Sequence, residues 1–302
     1  MSSAPVGRFA PTPSGRMHLG NVFAALIAWL SVRSQNGSLV LRMEDLDTQR
    51  TSADFAEILR SDLLWLGLNW DEETAPQSQR SAVYDRYFEK LMDEGLLYPC
   101  YCTRSQLHGV NAPHLSDGTY VYPGTCRNLQ SPPPGRSPSW RVIVPDKQWA
   151  FTDLVQGNYR LNLATECGDM VVRRADGVYV YQLAVTVDDG ESGVTEVVRG
   201  MDLLSSAPRQ MYLQEKLGFS HPVYGHVPML LAPDGRRLSK RDKDLDLGVL
   251  RQRLKPEELI GTLAFAAGLT DQNIPISAAA LATIFRWENL RGDAIYLDAS
   301  SL

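Results

Sequence analysis

The sequence has no apolar run long enough to span a bilayer. The longest run near the N-terminus, Val22 to Leu30, has nine residues, whereas a membrane-spanning helix needs about 20. No pattern typical of a secretory signal peptide is visible at the start of the chain. We therefore expect a cytoplasmic protein with no membrane partner.

Cysteine is also scarce, with four residues in 302. A disulfide framework is not expected in a large chain without an export signal. Three of the four, Cys100, Cys102 and Cys126, fall close together in the sequence, and clustered thiols of this kind indicate metal binding. Cys167 is isolated, and we interpret it as a small buried residue.

The chain has no overall excess of basic residues, since its formal net charge is −5. The charge is unevenly distributed, however, and residues 231–255 carry eight basic side chains against four acidic ones. Phosphate neutralisation is local, so a mildly acidic protein can still bind RNA through one basic face. Composition alone leaves nucleic-acid binding open.

Strand-like and helix-like segments alternate in the first third of the chain. Val6–Ala10 and Ser38–Met43 have the pattern of strands, whereas 21–34, 52–66 and 78–94 have the pattern of helices. This alternation is typical of βαβ units, so we expect an α/β fold with a Rossmann-type parallel sheet.

The pattern changes near Tyr98. Residues 98–140 are rich in Cys, Pro, Gly and Ser, and the strand-like segments that follow include a predicted hairpin with arms at 170–174 and 178–187. The last fifty residues have a helical pattern. We expect four parts: half of a nucleotide-binding domain at 1–95, an inserted subdomain at 96–170, the other half at 171–245, and a small helical segment at 246–302.

Two short motifs have the chemistry needed to bind a nucleotide. His18-Leu19-Gly20-Asn21 stands where a helix begins after a strand, and a helix N-terminus favours phosphate. Arg237-Leu238-Ser239-Lys240-Arg241 is a basic loop whose lysine is suited to the negative charge that develops on departing pyrophosphate. Each motif also has a simpler interpretation. The first could be a helix end with an incidental histidine, and the second could be a solvated surface loop.

Taken together, the two motifs resemble the signatures of class I aminoacyl-tRNA synthetases. Segments 8–15 (RFAPTPSG), 42–47 (RMEDLD) and 198–204 (VRGMDLL) resemble the glutamyl/glutaminyl branch of that class. The resemblance covers roughly residues 6–245. It implies an enzyme that uses ATP with Mg²⁺ and that has His18 and Lys240 as catalytic residues. The ATP-binding residues it implies are His18, Gly20, Asn21, Arg237, Leu238, Ser239, Lys240 and Arg241.

A glutamate pocket can be argued from charge. Free glutamate needs a cation for its side-chain carboxylate and an anion for its ammonium group. Arg8 is suited to bidentate carboxylate binding, and Glu44, near the end of a parallel strand, is suited to the ammonium. The resemblance adds Phe9, Ala10, Pro11 and Thr12, together with Tyr181 and Arg199, which we expect on strands. Each of these residues also has a simpler interpretation when it is taken singly. Each charged residue could form a surface ion pair, and the tyrosine could be a half-buried aromatic ring.

Two features resemble a shorter family, the glutamyl-Q tRNA(Asp) synthetases. Glutamyl-tRNA synthetases tend to have asparagine where this chain has Val185, and Tyr181-Gln182-Leu183-Ala184-Val185 is similar to the shorter family instead. Sixty-one residues follow Arg241, too few for the helical domain that contacts the anticodon in full-length enzymes. The resemblance implies transfer of glutamate to queuosine in tRNA(Asp), and Val185 predicts weaker glutamate binding.

The same resemblance implies that the inserted subdomain at 96–170 binds the acceptor and contains a structural Zn²⁺ held by Cys100, Cys102, Tyr122 and Cys126. Three thiols in a loop-rich segment suit a tetrahedral site. His108 or His114 could take the fourth position instead of Tyr122, and a set of reduced structural thiols without metal is the remaining alternative.

Three other functions stay open from the sequence. One is a true glutamyl-tRNA synthetase that charges the 3′ end of tRNA(Glu). Another is an inactive, tRNA-binding paralogue, which the presence of His18, Lys240, Arg8 and Glu44 argues against. The third is a small-molecule ligase that makes, for example, cysteinyl conjugates. We expect a monomer.

Overall fold

A computed structural model of the protein describes residues 4–103, 106, 121–236 and 246–298. Its helices are α1 Leu19–Ser34, α2 Ala53–Trp65, α3 Ser81–Asp93, α4 Leu163–Glu166, α5 Tyr181–Glu191, α6 Ser206–Leu217, α7 Leu247–Arg253, α8 Pro256–Ala266 and α9 Ala278–Ile284. Its strands are β1 Val6–Phe9, β2 Ser38–Leu41, β3 Glu72–Glu73, β4 Leu97–Cys100, β5 Ser139–Val142, β6 Gln148–Asp153, β7 Gly157–Asn162, β8 Met170–Arg173, β9 Glu196–Gly200, β10 Val223–Val227, β11 Leu230–Leu231 and β12 Ile295–Tyr296.

A five-stranded sheet of order β10-β9-β1-β2-β3 forms the centre of the molecule. Every neighbouring pair in it is parallel, including β1 with β2 and β1 with β9. The prediction of an α/β fold with a parallel sheet is confirmed. Because β1 lies between β2 and β9, segments nearly 200 positions apart in sequence form one sheet, and the carboxyl ends of their strands share one edge.

Helix α1 packs closely against this sheet, and its residues from Val22 to Val32 are mostly buried. Gly7 on β1 makes the close approach possible, since a Cβ atom there would lie 2.5 Å from Cγ1 of Val32. Helix α2 begins at Ser52, whose hydroxyl accepts a hydrogen bond from the Phe55 amide at 3.2 Å. The helices predicted at 21–34, 52–66 and 78–94 are confirmed.

The segment between the two halves of the sheet has its own antiparallel strands. β4, β5 and β8 form a three-stranded sheet, and β6 and β7 form a hairpin. The structure therefore has an insertion-like segment where the composition changes, while the boundaries 1–95, 96–170, 171–245 and 246–302 stay predictions.

The prediction that 178–187 is the second arm of a hairpin is right for 178–180 and wrong for the rest. β8 ends at Arg173, and residues 178–180 run back along it: the amide of Arg174 donates to the carbonyl of Val178 at 2.8 Å, and the amide of Val180 donates to the carbonyl of Val172 at 3.0 Å. Helix α5 then begins at Tyr181. Valines favour strands, but this helix is buried on nearly all sides, so the apolar residues show no clear period. Tyr181 consequently lies in the first turn of a helix and not on a strand.

The C-terminal residues are largely helical, as predicted, and they end in β12, which pairs with β11. β10 ends at Val227, and the two-residue strand β11 follows at Leu230. Among the residues that the structure describes, no helix has the length and apolar character needed to cross a membrane.

Two adjacent leucines on α2 provide a test of the packing. Leu63 is 3% exposed, whereas Leu64 is 59% exposed. We expect Leu63→Ala to lower the free energy of unfolding by about 2–5 kcal/mol because it leaves a cavity. Leu64→Ala should change it by less than about 0.5 kcal/mol. Urea denaturation followed by circular dichroism measures both, and equal effects would contradict this packing.

Candidate active site and thiol cluster

A cavity of about 810 Å³ opens at the carboxyl edge of the central sheet. This edge is where α/β folds bind their ligands. The cavity is lined by eleven of the residues predicted for glutamate or ATP: Arg8, Phe9, Ala10, Pro11, Thr12, His18, Gly20, Asn21, Glu44, Tyr181 and Arg199. The structure thus brings together the first motif and the predicted glutamate pocket.

Arg8 reaches the cavity from the middle of β1, and its side chain is buried. Its Nη1 donates to the carbonyl oxygen of Val198 at 2.9 Å, and its Nε lies 3.4 Å from Oδ2 of Asp189. Arg42 donates to the other oxygen of Asp189 at 2.7 Å. Burial alone would raise the pKa of Asp189, but Arg42 and Arg8 outweigh it and hold that pKa below its usual range. Asp189 is therefore an ionised group between two arginines.

Glu44 follows β2, and its carboxylate accepts a hydrogen bond from Nη2 of Arg42 at 3.1 Å. Burial raises the pKa of Glu44, while Arg42 and Arg8 oppose that rise. A cationic ligand group next to Glu44 would stabilise its ionised form further. The arrangement is chemically suited to an ammonium group.

Arg199, on β9, is a buried cation with uncharged partners. Its Nε donates to Nε2 of His226 at 3.0 Å and its Nη1 to Oε1 of Gln210 at 2.8 Å. Longer contacts join it to the Tyr181 hydroxyl and the Leu203 carbonyl. Within the described part of the chain, no carboxylate lies within 4.0 Å of this guanidinium. A buried charge without a counter-ion favours binding of an anion.

His226 lies behind Arg199 and is fully buried. Its Nδ1 is 2.6 Å from Oδ2 of Asp153, at the end of β6. Burial lowers the pKa of His226 to about 4; the hydrogen bond to Asp153 opposes this shift, and the positive charge of Arg199 adds to it. The imidazole is therefore neutral near pH 7.

The N-terminus of α1 forms another part of the cavity wall. His18 is the N-cap residue, and its carbonyl oxygen accepts from the amides of Asn21 and Val22. A Cβ atom on Gly20 would lie 3.3 Å from Nδ1 of His18, so the glycine keeps this helix end open to a close ligand. The unpaired amides of such a helix end suit phosphate oxygens.

The second motif, Arg237 to Arg241 with Lys240, lies outside the described residues. The described chain resumes at Asp246, which forms an isolated bridge with His18. The amide of Leu247 donates to the carbonyl of Met17 at 3.2 Å. Asp246 and Leu247 thus lie beside the N-terminus of α1.

Three thiols form a compact cluster away from the cavity. The Sγ atoms of Cys100, Cys102 and Cys126 lie within 4.8 Å of one another. The hydroxyl of Tyr122 is 3.4 Å from Sγ of Cys100 and 3.6 Å from Sγ of Cys102. These four atoms could surround one metal ion. His108 and His114, the alternative ligands, lie outside the described residues.

Arg141 supports this cluster from β5. Its Nε donates to Sγ of Cys100 at 3.2 Å, and its Cζ lies 3.7 Å from the centroid of the Tyr122 ring. Burial opposes ionisation of Cys100, but its contacts with Tyr122, the Cys102 amide and Arg141 outweigh it and lower its pKa to about 7. A thiol with this pKa is readily deprotonated for metal binding.

Several residues of the site were missed by the sequence analysis. Asp189 comes at the end of a helix misread as a strand, so its orientation could not be inferred. Asp202 lines the cavity and lies within a segment that carries the family resemblance, yet it was not assigned a role. His226 has no local signal, because its partner Asp153 is 73 positions away.

Comparisons with known proteins agree with this geometry. The family model described as "tRNA synthetases class I (E and Q), catalytic domain" matches residues 6–279. A glutamyl-Q tRNA(Asp) synthetase of Symbiobacterium thermophilum is 44% identical, over 98% of this chain and 97% of its own. One of Geobacter sulfurreducens is 43% identical, over 93% and 90%.

Solved structures show the same similarity. A glutamate tRNA ligase from Elizabethkingia meningosepticum, crystallised in complex with its amino acid, matches with a TM-score of 0.85 at 26% identity. The match covers 99% of this chain and 68% of that one. The resemblance indicated by the motifs is confirmed, and the chain belongs to the class I (E and Q) tRNA synthetases, in the family of the glutamyl-Q tRNA(Asp) synthetases.

Proposed function

We propose that the protein activates glutamate with ATP to give glutamyl-adenylate and transfers the glutamyl group to queuosine in the anticodon of tRNA(Asp). The observation that carries the amino-acid part is the buried guanidinium of Arg199, which faces the cavity and has only uncharged partners among the described residues. The acceptor is supported by the names of relatives that match nearly the full chain.

The pocket divides the charges of glutamate between separate groups. Arg199 and Arg8 bind the side-chain carboxylate in this proposal, and Tyr181 adds its hydroxyl. Glu44 binds the ammonium group, and residues 9–12 line the space between. Glutamine would leave the charge of Arg199 without a counter-ion, so the pocket discriminates against it.

The nucleotide lies against the N-terminus of α1, where His18, Gly20 and Asn21 meet the phosphates. We also assign ATP binding to Arg237, Leu238, Ser239, Lys240 and Arg241, with Lys240 as the cation for the departing pyrophosphate. Mg²⁺ is the divalent cation that accompanies ATP in this class. The α-carboxylate of glutamate attacks the α-phosphate, pyrophosphate leaves, and the acceptor hydroxyl then displaces AMP. Positioning and charge stabilisation supply most of the rate enhancement.

The thiol cluster fits a zinc ion. Tetrahedral zinc with Zn–S bonds near 2.3 Å requires sulfur atoms about 3.8 Å apart, and Sγ of Cys102 and Cys126 are 3.5 Å apart. We assign Cys100, Cys102, Cys126 and Tyr122 as its ligands. Four protein ligands leave no open position, so the zinc ion is structural and stabilises the segment from 96 to 170 that contacts RNA in this proposal. The protein acts as a monomer in the cytoplasm.

The acceptor is tested with two preparations of tRNA(Asp), one with queuosine and one with unmodified guanosine. We expect labelled glutamate to be transferred only to the first, because only queuosine offers the cyclopentenediol hydroxyl. Nuclease mapping should place the label in the anticodon loop. Full charging of unmodified tRNA(Glu) at its 3′ end would identify the protein as a true glutamyl-tRNA synthetase instead.

The pocket is tested with Arg199→Gln. Hydrogen bonds to charged groups contribute about 1.5–3 kcal/mol, so KM for glutamate should rise roughly tenfold to a hundredfold. KM for ATP should stay unchanged in pyrophosphate exchange. Arg174→Gln is the matched control, since Arg174 is an exposed arginine that pairs with Asp176. An unchanged KM for glutamate in Arg199→Gln would exclude this pocket. No exchange by the wild type with glutamate would favour an inactive paralogue, and exchange with another amino acid, such as cysteine, would favour a small-molecule ligase.

The metal is tested by elemental analysis of freshly purified protein. We expect about one zinc per chain, as a four-ligand structural site requires, and none in the double variant Cys100→Ser, Cys102→Ser. Cys167→Ser is the control, because Cys167 is a buried cysteine outside the cluster. A wild type that is folded and active without metal would contradict the assignment.

A further inference from the structure

The hydrogen bonds of Arg199 define the protonation state of His226. A guanidinium has only donors, so Nε2 of His226, which lies 3.0 Å from Nε of Arg199, must accept and carries no proton. The ring proton is then on Nδ1, which donates to Oδ2 of Asp153 at 2.6 Å. The three side chains form a chain of hydrogen bonds with a single direction.

Asp153 is the final acceptor in this series of hydrogen bonds, and its carboxylate is held firmly. Its Oδ1 accepts from the backbone amides of Val155 and Gln156, each at 2.9 Å, and from the amide of His226 at 3.1 Å. The side chains of Asp153 and His226 are both 0% exposed. Water therefore does not compete for these contacts, and the orientation of the carboxylate is determined by the backbone of the turn after β6.

We propose that Asp153 and His226 are positioning residues that hold the guanidinium of Arg199 toward the cavity and thereby set the affinity for glutamate. This proposal rests on the proposed function of the same pocket. The other hydrogen bonds of Arg199 among the described residues go to Gln210, Tyr181 and the Leu203 carbonyl. The contact with His226, which does not line the cavity, fixes the edge of the guanidinium that faces away from it. The assignment also connects the β6–β7 hairpin, in the segment between the two sheet halves, with the amino-acid pocket.

Asp153→Asn tests the direction of the hydrogen bonds with almost no change in volume. The three backbone amides that donate to Asp153 require an acceptor, so the side-chain oxygen of the new asparagine should take the position of Oδ1. Its NH₂ group then faces Nδ1 of His226. Nδ1 must then accept, the ring proton moves to Nε2, and two donors face each other at Arg199. We expect KM for glutamate to rise roughly tenfold or more, with KM for ATP unchanged.

Two variants of His226 separate positioning from packing. His226→Gln places an amide oxygen near the former Nε2 and still offers an acceptor to Arg199, whereas His226→Leu offers none. We expect the glutamine variant to retain a KM for glutamate closer to that of the wild type than the leucine variant does. His221→Gln is the control, since His221 contacts the Met211 carbonyl and not the pocket.

The tautomer itself is read by NMR of protein labelled with ¹⁵N in its five histidines, with His226 assigned by its loss in His226→Gln. We expect the proton on Nδ1 in the wild type and on Nε2 in Asp153→Asn, in the absence of substrate. A wild type with the proton on Nε2 overturns the proposal, and so does an Asp153→Asn variant with an unchanged KM for glutamate. A wild type that shows no glutamate-dependent pyrophosphate exchange refutes the proposed function instead. The tautomer is measured without substrate, so failure of the positioning proposal can be distinguished from failure of the proposed function.

Discussion

The carboxylate of Asp189 lies between the guanidinium groups of Arg8 and Arg42, at distances of 3.4 and 2.7 Å. All three side chains are buried, and each comes from a different element: β1, the end of β2 and helix α5. Removal of one member of such a group leaves uncompensated charge in a region without water, which is strongly destabilising. This ionic contact joins β1 and the end of β2 to helix α5 below the cavity, and the positions of Arg8 and Glu44 depend on it.

A second anchor lies beside the first. Asp188 accepts hydrogen bonds from Nε of Arg80 and from the side-chain Nε2 of Gln77, each at 2.8 Å, and from the Tyr84 hydroxyl. Two successive carboxylates on α5 thus connect in different directions, one to the cavity floor and one to the segment before α3. The floor of the cavity is consequently preorganised before any ligand binds, which lowers the reorganisation required during reaction.

The two cationic side chains of the pocket differ in a way that bears on ligand choice. Arg8 has a carboxylate partner in Asp189, whereas Arg199 has His226, Gln210, Tyr181 and a backbone carbonyl as partners within the described residues. Uncharged acceptors fix the direction of a guanidinium without neutralising it. Most of the charge of Arg199 is thus left for a ligand, and in the proposed function this charge gives the site its preference for an amino acid with an anionic side chain.

The sequence by itself determined the fold class, the family and eleven of the residues that line the cavity, because short motifs placed next to strand and helix ends reflect local backbone requirements. The helix from Leu19, the parallel strands around Arg8, and the cysteines at 100, 102 and 126 could all be recognised this way. It misassigned 181–187, since a segment buried on every side shows no period. Only the tertiary structure decided that Asp189 pairs with Arg8 and Arg42 and that Asp153 reaches Arg199 through His226. These contacts join residues between 27 and 181 positions apart, and the packing of distant elements that creates them leaves no local pattern in the chain.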